Sequence, residues 1–367
     1  MSAILKDPQA FDALCERVAA AEFVGLDTEF VRERTYYAEL ALIQLALPDG
    51  LVLLDPLAID ITALGDALQG PGVKILHAGR QDLELILQET GRLPAPLFDT
   101  QVAAALVGHD EQIGYGGLVE KLLDVRLPKD ATRTNWANRP LSEHQLRYAL
   151  DDVRYLKPLH ERLGEELAAH GRDAWLDEDV ATLSDPDRYR LDPVQLARRY
   201  RQGSAMTAPA QARFGALLLW REEAARAANL PRGWILSDAV LVDLAHRPPE
   251  SPDDLGRRRG VDARAARKWG EAVHALLQGA PAQSVHTWPP ATLDGEQTAI
   301  YEALVALVDA RARALGIGAS LIAARRTLKE MAQGGSGAAL ETGWRAEVLG
   351  AEGCALLRQA REHARPA

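Results

Sequence analysis

The chain has 367 residues, 47% of them apolar and 26% charged, with 52 Asp+Glu against 42 Lys+Arg for a formal net charge of -10. That length exceeds one ordinary core and predicts two or three domains, and the composition is globular rather than disordered or fibrous. No run of 18 apolar residues occurs, Lys6, Asp7, Asp12, Glu16 and Arg17 interrupt the region where a signal peptide would be apolar, and Cys15 and Cys354 have no disulfide or zinc spacing, so a reduced, cytoplasmic setting without a membrane partner is expected.

In chain order, an amphipathic helix over about residues 8–21 leads into a strand from Phe23 to Phe30. Strands at Leu40–Leu47 and Leu51–Asp55 flank Pro48-Asp49-Gly50, which reads as a three-residue hairpin loop ending in Gly. A helix near 60–69 is followed by the breaker Gly70-Pro71-Gly72, a strand from Val73 to His77, a helix near 80–90, a short strand around Leu97-Phe98-Asp99, and then helices. Three hairpin-linked strands followed by helix–strand crossovers describe a mixed α/β sheet, not an all-parallel one. Past about residue 205 the strand signals stop and helical periodicity continues, punctuated by Pro231, Pro248-Pro249 and Pro289-Pro290. A weak internal repeat aligns Ile235, Leu241, Leu244 and Ala245 with Ile322, Leu328, Met331 and Ala332. The domain reading is therefore 1–205, then two small helical bundles at 207–283 and 291–367. The acid is concentrated in the first part: residues 1–205 hold 22 Lys+Arg against 34 Asp+Glu, whereas 206–367 hold 20 against 18.

Three acidic fragments lie in that first part: Asp27-Thr28-Glu29, His77-Ala78-Gly79-Arg80-Gln81-Asp82, and Tyr148-Ala149-Leu150-Asp151-Asp152. Singly they mean little, since Asp-x-Glu is expected about 1.8 times and Tyr-x-x-x-Asp about 0.6 times by chance at this composition. Their settings say more. Asp27 and Glu29 share one face of a strand, about 6.8 Å apart, with Thr28 turned to the other side. Tyr148 and Asp152 stack one turn apart on a helix, bordering the stripe Leu146, Ala149, Val153 and Leu156, while Asp151 faces elsewhere. Asp82 opens a helix just after a strand, where the dipole alone would favour a carboxylate. Each fragment also has a bland reading: a strand end leaving the core, a packed Tyr beside a helix acid, a favoured N-terminal acid. Four converging carboxylates would repel, and two divalent ions would balance them. All-oxygen ligands with no His/Cys cluster favour Mg2+ or Mn2+. Such a pair activates water and stabilises the leaving oxygen in phosphoryl displacement. Tyr148, protonated at neutral pH, would orient the water rather than act as base.

The ordered set resembles the DEDDy branch of 3′-5′ exonucleases, which share a ribonuclease-H-like mixed sheet. The resemblance continues through Phe30, Arg32, Thr35-Tyr36, Leu42-Ile43-Gln44-Leu45, Phe98-Asp99-Thr100-Gln101 and Gly117-Leu118. It extends to Lys129, Trp136, Arg139-Pro140-Leu141, Gln145, Tyr148-Ala149 and Asp152-Val153, a set similar to the ribonuclease D family. The two bundles resemble the helical HRDC modules that follow that family's nuclease domain, the first through Pro231-Arg232-Gly233-Trp234-Ile235-Leu236-Ser237-Asp238; the second has Ala324-Arg325 where the first has Ser237-Asp238.

The resemblance implies hydrolysis of RNA from its 3′ end to nucleoside 5′-monophosphates, tRNA precursors being the expected substrate, by a monomeric enzyme. By position it makes Asp27, Glu29, Asp82 and Asp152 the metal acids, with Asp82 acting directly or through water, and Tyr148 the water positioner. Phe30, Gln44, His77, Lys129, Trp136 and Arg139 are the candidate substrate contacts, with a core role open for Trp136 and His77. Arg257, Arg258, Arg259 and Lys268, with Arg264 and Arg267, form a basic cluster that either grips RNA backbone or is a solvated face. Two other functions fit the same residues: a 3′-5′ DNA exonuclease, and a non-catalytic RNA-binding adaptor.

Overall fold

The computed structural model describes residues 4–128, 134–279, 288–290, 292–335 and 338–364. Two compact units emerge, one of residues 1–31, 39–189 and 294–367, the other of residues 32–38 and 190–293. No helix among the described residues is long and apolar enough to cross a membrane.

In the first unit, helix α1 (Pro8–Ala20) starts where Asp7 accepts the Ala10 N–H at 2.9 Å, and buries Phe11, Leu14 and Val18. It feeds β1 (Phe23–Val31), β2 (Glu39–Leu47) and β3 (Gly50–Leu54), followed by α2 (Thr62–Ala67), β4 (Val73–Leu76), α3 (Arg80–Thr90) and β5 (Leu97–Asp99). The five-stranded sheet has the order β3-β2-β1-β4-β5, antiparallel from β1 to β3 and parallel from β1 to β5. The β2–β3 turn is tighter than the sequence suggests. Leu47 pairs with Gly50, so only Pro48 and Asp49 form the turn, and Gly50 takes a φ of 147° that a side chain would resist.

Helices α4 (Thr100–Leu106), α5 (Tyr115–Leu123), α6 (Glu143–Arg154), α7 (Leu156–His170) and α8 (Asp173–Leu183) follow the sheet. A capping box, Ser142 with Gln145, fixes where α6 begins.

The sequence reading separates a third body at 291–367, but 294–367 shares the first unit's core. This segment holds α14 (Gly295–Leu315), α15 (Ala319–Ile322), α16 (Arg325–Ala332), α17 (Ala338–Glu341) and α18 (Gly343–Ala364, kinked at Gly350). Leu304, Leu328, Trp344 and Leu357 join Phe98, Leu118, Val153 and Leu163 in one apolar cluster. Buried Arg172 donates to Leu106 O at 2.5 Å and Leu315 O at 2.6 Å, and the Trp175 and Trp344 rings stack 4.5 Å apart. Amphipathic stripes on α14 and α16 require a partner; the two helices pack on each other and on α18, and α18 in turn packs on α8.

The second unit comprises α9 (Pro193–Arg198), α10 (Ala208–Ala228), α11 (Arg232–Ile235), α12 (Asp238–His246) and α13 (Ala263–Gln278). It begins at Arg190, earlier than the expected boundary after 205, because Leu196 and Ala197 pack into the same core as Phe214, Leu217, Leu241, Leu244 and Val273. Residues 32–38 also belong to it. Asn229 Oδ1 accepts the N–H groups of Tyr36 and Tyr37, both at 3.1 Å, and the Tyr36 hydroxyl donates to Glu222, which Arg232 pairs. Ser237 caps α12 and Asp238 pairs with buried Arg221 at 2.7 Å; at the repeat-related position Ala324 gives α16 no side-chain cap.

Candidate active site

Strand β1 and helix α6 build the site. Asp27 pairs across the sheet with Gln44 and Glu29 with Leu42, so both acids stand on the face that α6 covers, and the ladder is shifted by a bulge between Glu29 and Phe30. From α6 come Tyr148 and Asp152. Asp27, Glu29 and Asp152 each offer an oxygen, all within 4.8 Å of one another. A cleft lined by Leu26, Asp27, Thr28, Glu29, His77, Tyr115, Tyr148, Asp152 and Leu156 contains them.

Asp82, in the first turn of α3, is buried beside this trio but not within it. Thr28 holds it: the Thr28 N–H donates to Asp82 Oδ1 at 3.0 Å, and the Thr28 hydroxyl donates to the same oxygen. Because β4 pairs with Phe23–Gly25, the Thr28 N–H lies beyond the parallel ladder and is satisfied by this side chain instead.

Charge crowding is evident at each acid. Burial, then the charges of Asp82, Asp152 and Glu29, raise Asp27 well above the usual carboxylate range. Burial and the charges of Asp152 and Asp82 push Glu29 up to about 8. Burial lifts Asp152 to about 7, opposed by a hydrogen bond from Tyr148 and aided by Asp151 and Asp82. Asp82 rises to about 6, again through burial, with the Thr28 hydrogen bonds pulling it down. The Tyr148 phenol is raised by burial and by Asp152, Glu29 and Asp27, so it stays protonated and donates to Asp152. Hard oxygen donors that repel one another fit a divalent cation, which would relieve the repulsion without any change of ligand type.

Other groups fix the frame. Asp99, buried, accepts the N–H groups of Ala78 at 3.1 Å and Gly79 at 2.8 Å ahead of α3, and that of Gln101 at 2.8 Å opening α4. The Tyr115 hydroxyl donates to Asp151 O and accepts from the Tyr155 N–H, both at 3.0 Å, which pins the end of α6 behind Asp152. Asp151 itself pairs with Arg154 at 2.9 Å, away from the trio. Tyr115 went unnoticed in the sequence because nothing in Gly114-Tyr115-Gly116 signals a partner 36 residues away.

The candidate substrate contacts divide sharply. His77 lines the cleft, yet its Nε2 donates to Ile113 O at 3.0 Å and Nδ1 meets Thr100 Oγ1 at 2.9 Å, so only the ring is presented. Burial holds it below the usual imidazole range, hence neutral. Phe30 is half-buried past the bulge. Gln44 is fully buried, its amide atoms without a hydrogen-bond partner, and cannot meet a substrate in this form. Trp136, 3% exposed, packs with Leu42, Leu53, Leu141 and Ala149. Arg139 is likewise structural: it pairs with buried Asp55 through two bonds of 2.7 Å and donates to Ala41 O, Trp136 O and Asn138 O. Lys129 lies outside the described residues. In the basic cluster, Arg258 is committed to Asp243 and Arg247 O, both at 3.0 Å; Arg257, Arg259 and Lys268 are exposed, Arg257 pairing with Asp254 at 2.8 Å.

A family model described as 3'-5' exonuclease matches residues 2–168, and the HRDC domain model matches residues 210–277. The chain is 38% identical over 365 residues to the Ribonuclease D of Zymomonas mobilis, covering 96% of this chain and 93% of that protein. It is 38% identical over 353 residues to the Ribonuclease D of Xanthomonas oryzae, covering 94% and 96%. The crystal structure of Escherichia coli RNase D, described as an exoribonuclease involved in structured RNA processing, matches with a TM-score of 0.85 at 30% identity over 100% of both chains.

Proposed function

The chain belongs to the ribonuclease D family and is a 3′-5′ exoribonuclease; on that premise we propose that it hydrolyses RNA to nucleoside 5′-monophosphates with two divalent ions, Mg2+ or Mn2+. The observation that carries the reading is the trio of mutually repelling carboxylates, Asp27, Glu29 and Asp152, with a protonated Tyr148 beside it. Asp27, Glu29 and Asp152 would hold one ion and Asp27 with Asp82 the other; when bound, the ions supply positive charge for the attacking water and the leaving 3′-oxygen. Tyr148 keeps its proton, donates to Asp152 and orients the incoming water. Leu26 and Leu156 line the cleft with apolar surface. Trimming of tRNA precursors by a monomer in the cytoplasm is the setting we assign.

Purified protein, incubated with Mg2+ or Mn2+ and 5′-labelled single-stranded RNA or DNA, tests this. An RNA ladder shortening from the 3′ end, absent in Asp27→Ala, supports it. A ladder on DNA alone selects a DNA exonuclease, and binding without cleavage an adaptor. Tyr148→Phe should lower kcat by roughly 10²-fold and leave RNA affinity unchanged, as single-turnover and binding assays on one RNA would register.

Arg257, Arg259 and Lys268 are the cations we assign to RNA backbone. Replacing all three by Ala should reduce the slope of log K against log salt by up to about 2, at about 0.7 per phosphate contact on a single strand. An unchanged slope makes them a solvated face.

A further inference from the structure

Within the acidic fragment Asp27-Thr28-Glu29, the middle residue offers no carboxylate to the trio. Yet Thr28 is 6% exposed and makes two hydrogen bonds to one atom of a neighbouring acid. Asp82 Oδ1 receives the Thr28 N–H at 3.0 Å and the Thr28 hydroxyl as well. An oxygen with two donors is held in place. The other oxygen, Oδ2, is the one Thr28 leaves alone.

The backbone donor arises from topology. Strand β4 pairs with Phe23–Gly25, so the N–H of Thr28 extends past that ladder into the crevice where α3 begins. A buried N–H there needs an acceptor, and Asp82 is the side chain that α3 delivers. The hydroxyl is a sequence choice. A Val of the same shape would leave the backbone bond intact and remove the second donor.

From these contacts we infer that Thr28 is a positioning residue: its hydroxyl fixes Asp82 so that a single oxygen, Oδ2, is offered toward the acidic trio. This rests on the two-ion reading above and assigns a consequence to it. The trio would supply three oxygens to one ion, whereas the other would depend on Asp82 and be the more weakly held. Thr28 therefore controls occupancy of the weaker site and leaves the stronger one alone. Groups that orient ligands in this way typically change metal affinity by about 10–100-fold when removed.

The test is Mn2+ binding to the full-length protein, followed by calorimetry and by electron paramagnetic resonance of free Mn2+, with no RNA present. The wild type should show two sites of unequal affinity. Thr28→Val should raise the weaker dissociation constant by at least about tenfold and leave the stronger one unchanged, and Thr28→Ser should restore the wild-type pattern. Circular dichroism and a denaturation midpoint for each variant establish that both fold. Two unchanged sites in Thr28→Val would overturn the inference, as would equal loss in Thr28→Ser, which would mean that the methyl group rather than the hydroxyl matters. Equal weakening of both sites would also overturn it, since that is the mark of general loosening. If the wild type binds a single ion or none, the two-ion reading itself fails, a result separable from any of these because it needs no variant.

Discussion

Asp27→Asn should abolish turnover and, in the absence of divalent ions, make the protein more stable. The loss follows from removing a central acid: charge stabilisation worth several kcal/mol corresponds to a rate decrease of about 10³-fold or more. The gain follows from crowding. Asp27 is raised by burial and by the charges of Asp82, Asp152 and Glu29, so its ionised form costs the folded state free energy that Asn does not. The same acids set the pH dependence. Free carboxyls titrate near 4, while Asp82, Asp152 and Glu29 are raised to about 6, 7 and 8 in the folded chain. Between those limits the folded state binds more protons than the unfolded one. The contribution of these groups to stability is therefore full below about pH 4 and is lost as the pH rises through the folded values to about 8. Urea denaturation in EDTA at several pH values should show stability falling across that window, and Asp27→Asn should flatten the fall. A midpoint for Asp27→Asn below wild type at pH 8 would contradict the crowding argument.

Arg139→Ala should destabilise the protein by about 3–5 kcal/mol, because it strands the buried carboxylate of Asp55. The guanidinium joins Asp55 at the end of β3, Ala41 O on β2 and Trp136 O in the segment leading to α6. Arg139→Lys should recover only part of the loss, since an ammonium cannot reproduce the bidentate pair and the carbonyl contacts together. A denaturant midpoint reads the effect directly. If Arg139→Ala were as stable as wild type but bound RNA more weakly, Arg139 would be a phosphate contact after all.

The sequence made the acidic site legible wherever a local pattern fixed direction. Alternation along β1 put Asp27 and Glu29 on one face, and the apolar stripe of Ala149 and Val153 set Tyr148 and Asp152 beside them. Destinations were less legible. The stripe on α14 announces that Leu304 and Leu307 are buried, but not that Leu118 and Val153 belong to the same cluster. Residues 32–38 follow β1 directly, yet join the second unit because Glu222 and Asn229 supply their partners from 186 positions or more along the chain. Trp136 and Arg139 sit in a run similar to the nuclease family, and similarity cannot distinguish a residue that touches RNA from one that holds the wall behind the site. Thr28's contact with Asp82 was not legible, because it depends on where β4 stops, a property of the ladder and not of the fragment.

Analysis of the released product tests the central claim most directly. Uniformly labelled RNA should be digested with the purified protein and Mg2+ or Mn2+, and the mononucleotides separated by chromatography. Water attack across the acidic trio leaves the phosphate on the departing nucleotide, so nucleoside 5′-monophosphates should accumulate from the earliest time point, with Asp27→Asn releasing none. Nucleoside 2′,3′-cyclic phosphates or 3′-monophosphates would contradict the account, because either the RNA's own 2′-hydroxyl would be the nucleophile or the 5′-oxygen, not the 3′-oxygen, would be the leaving group.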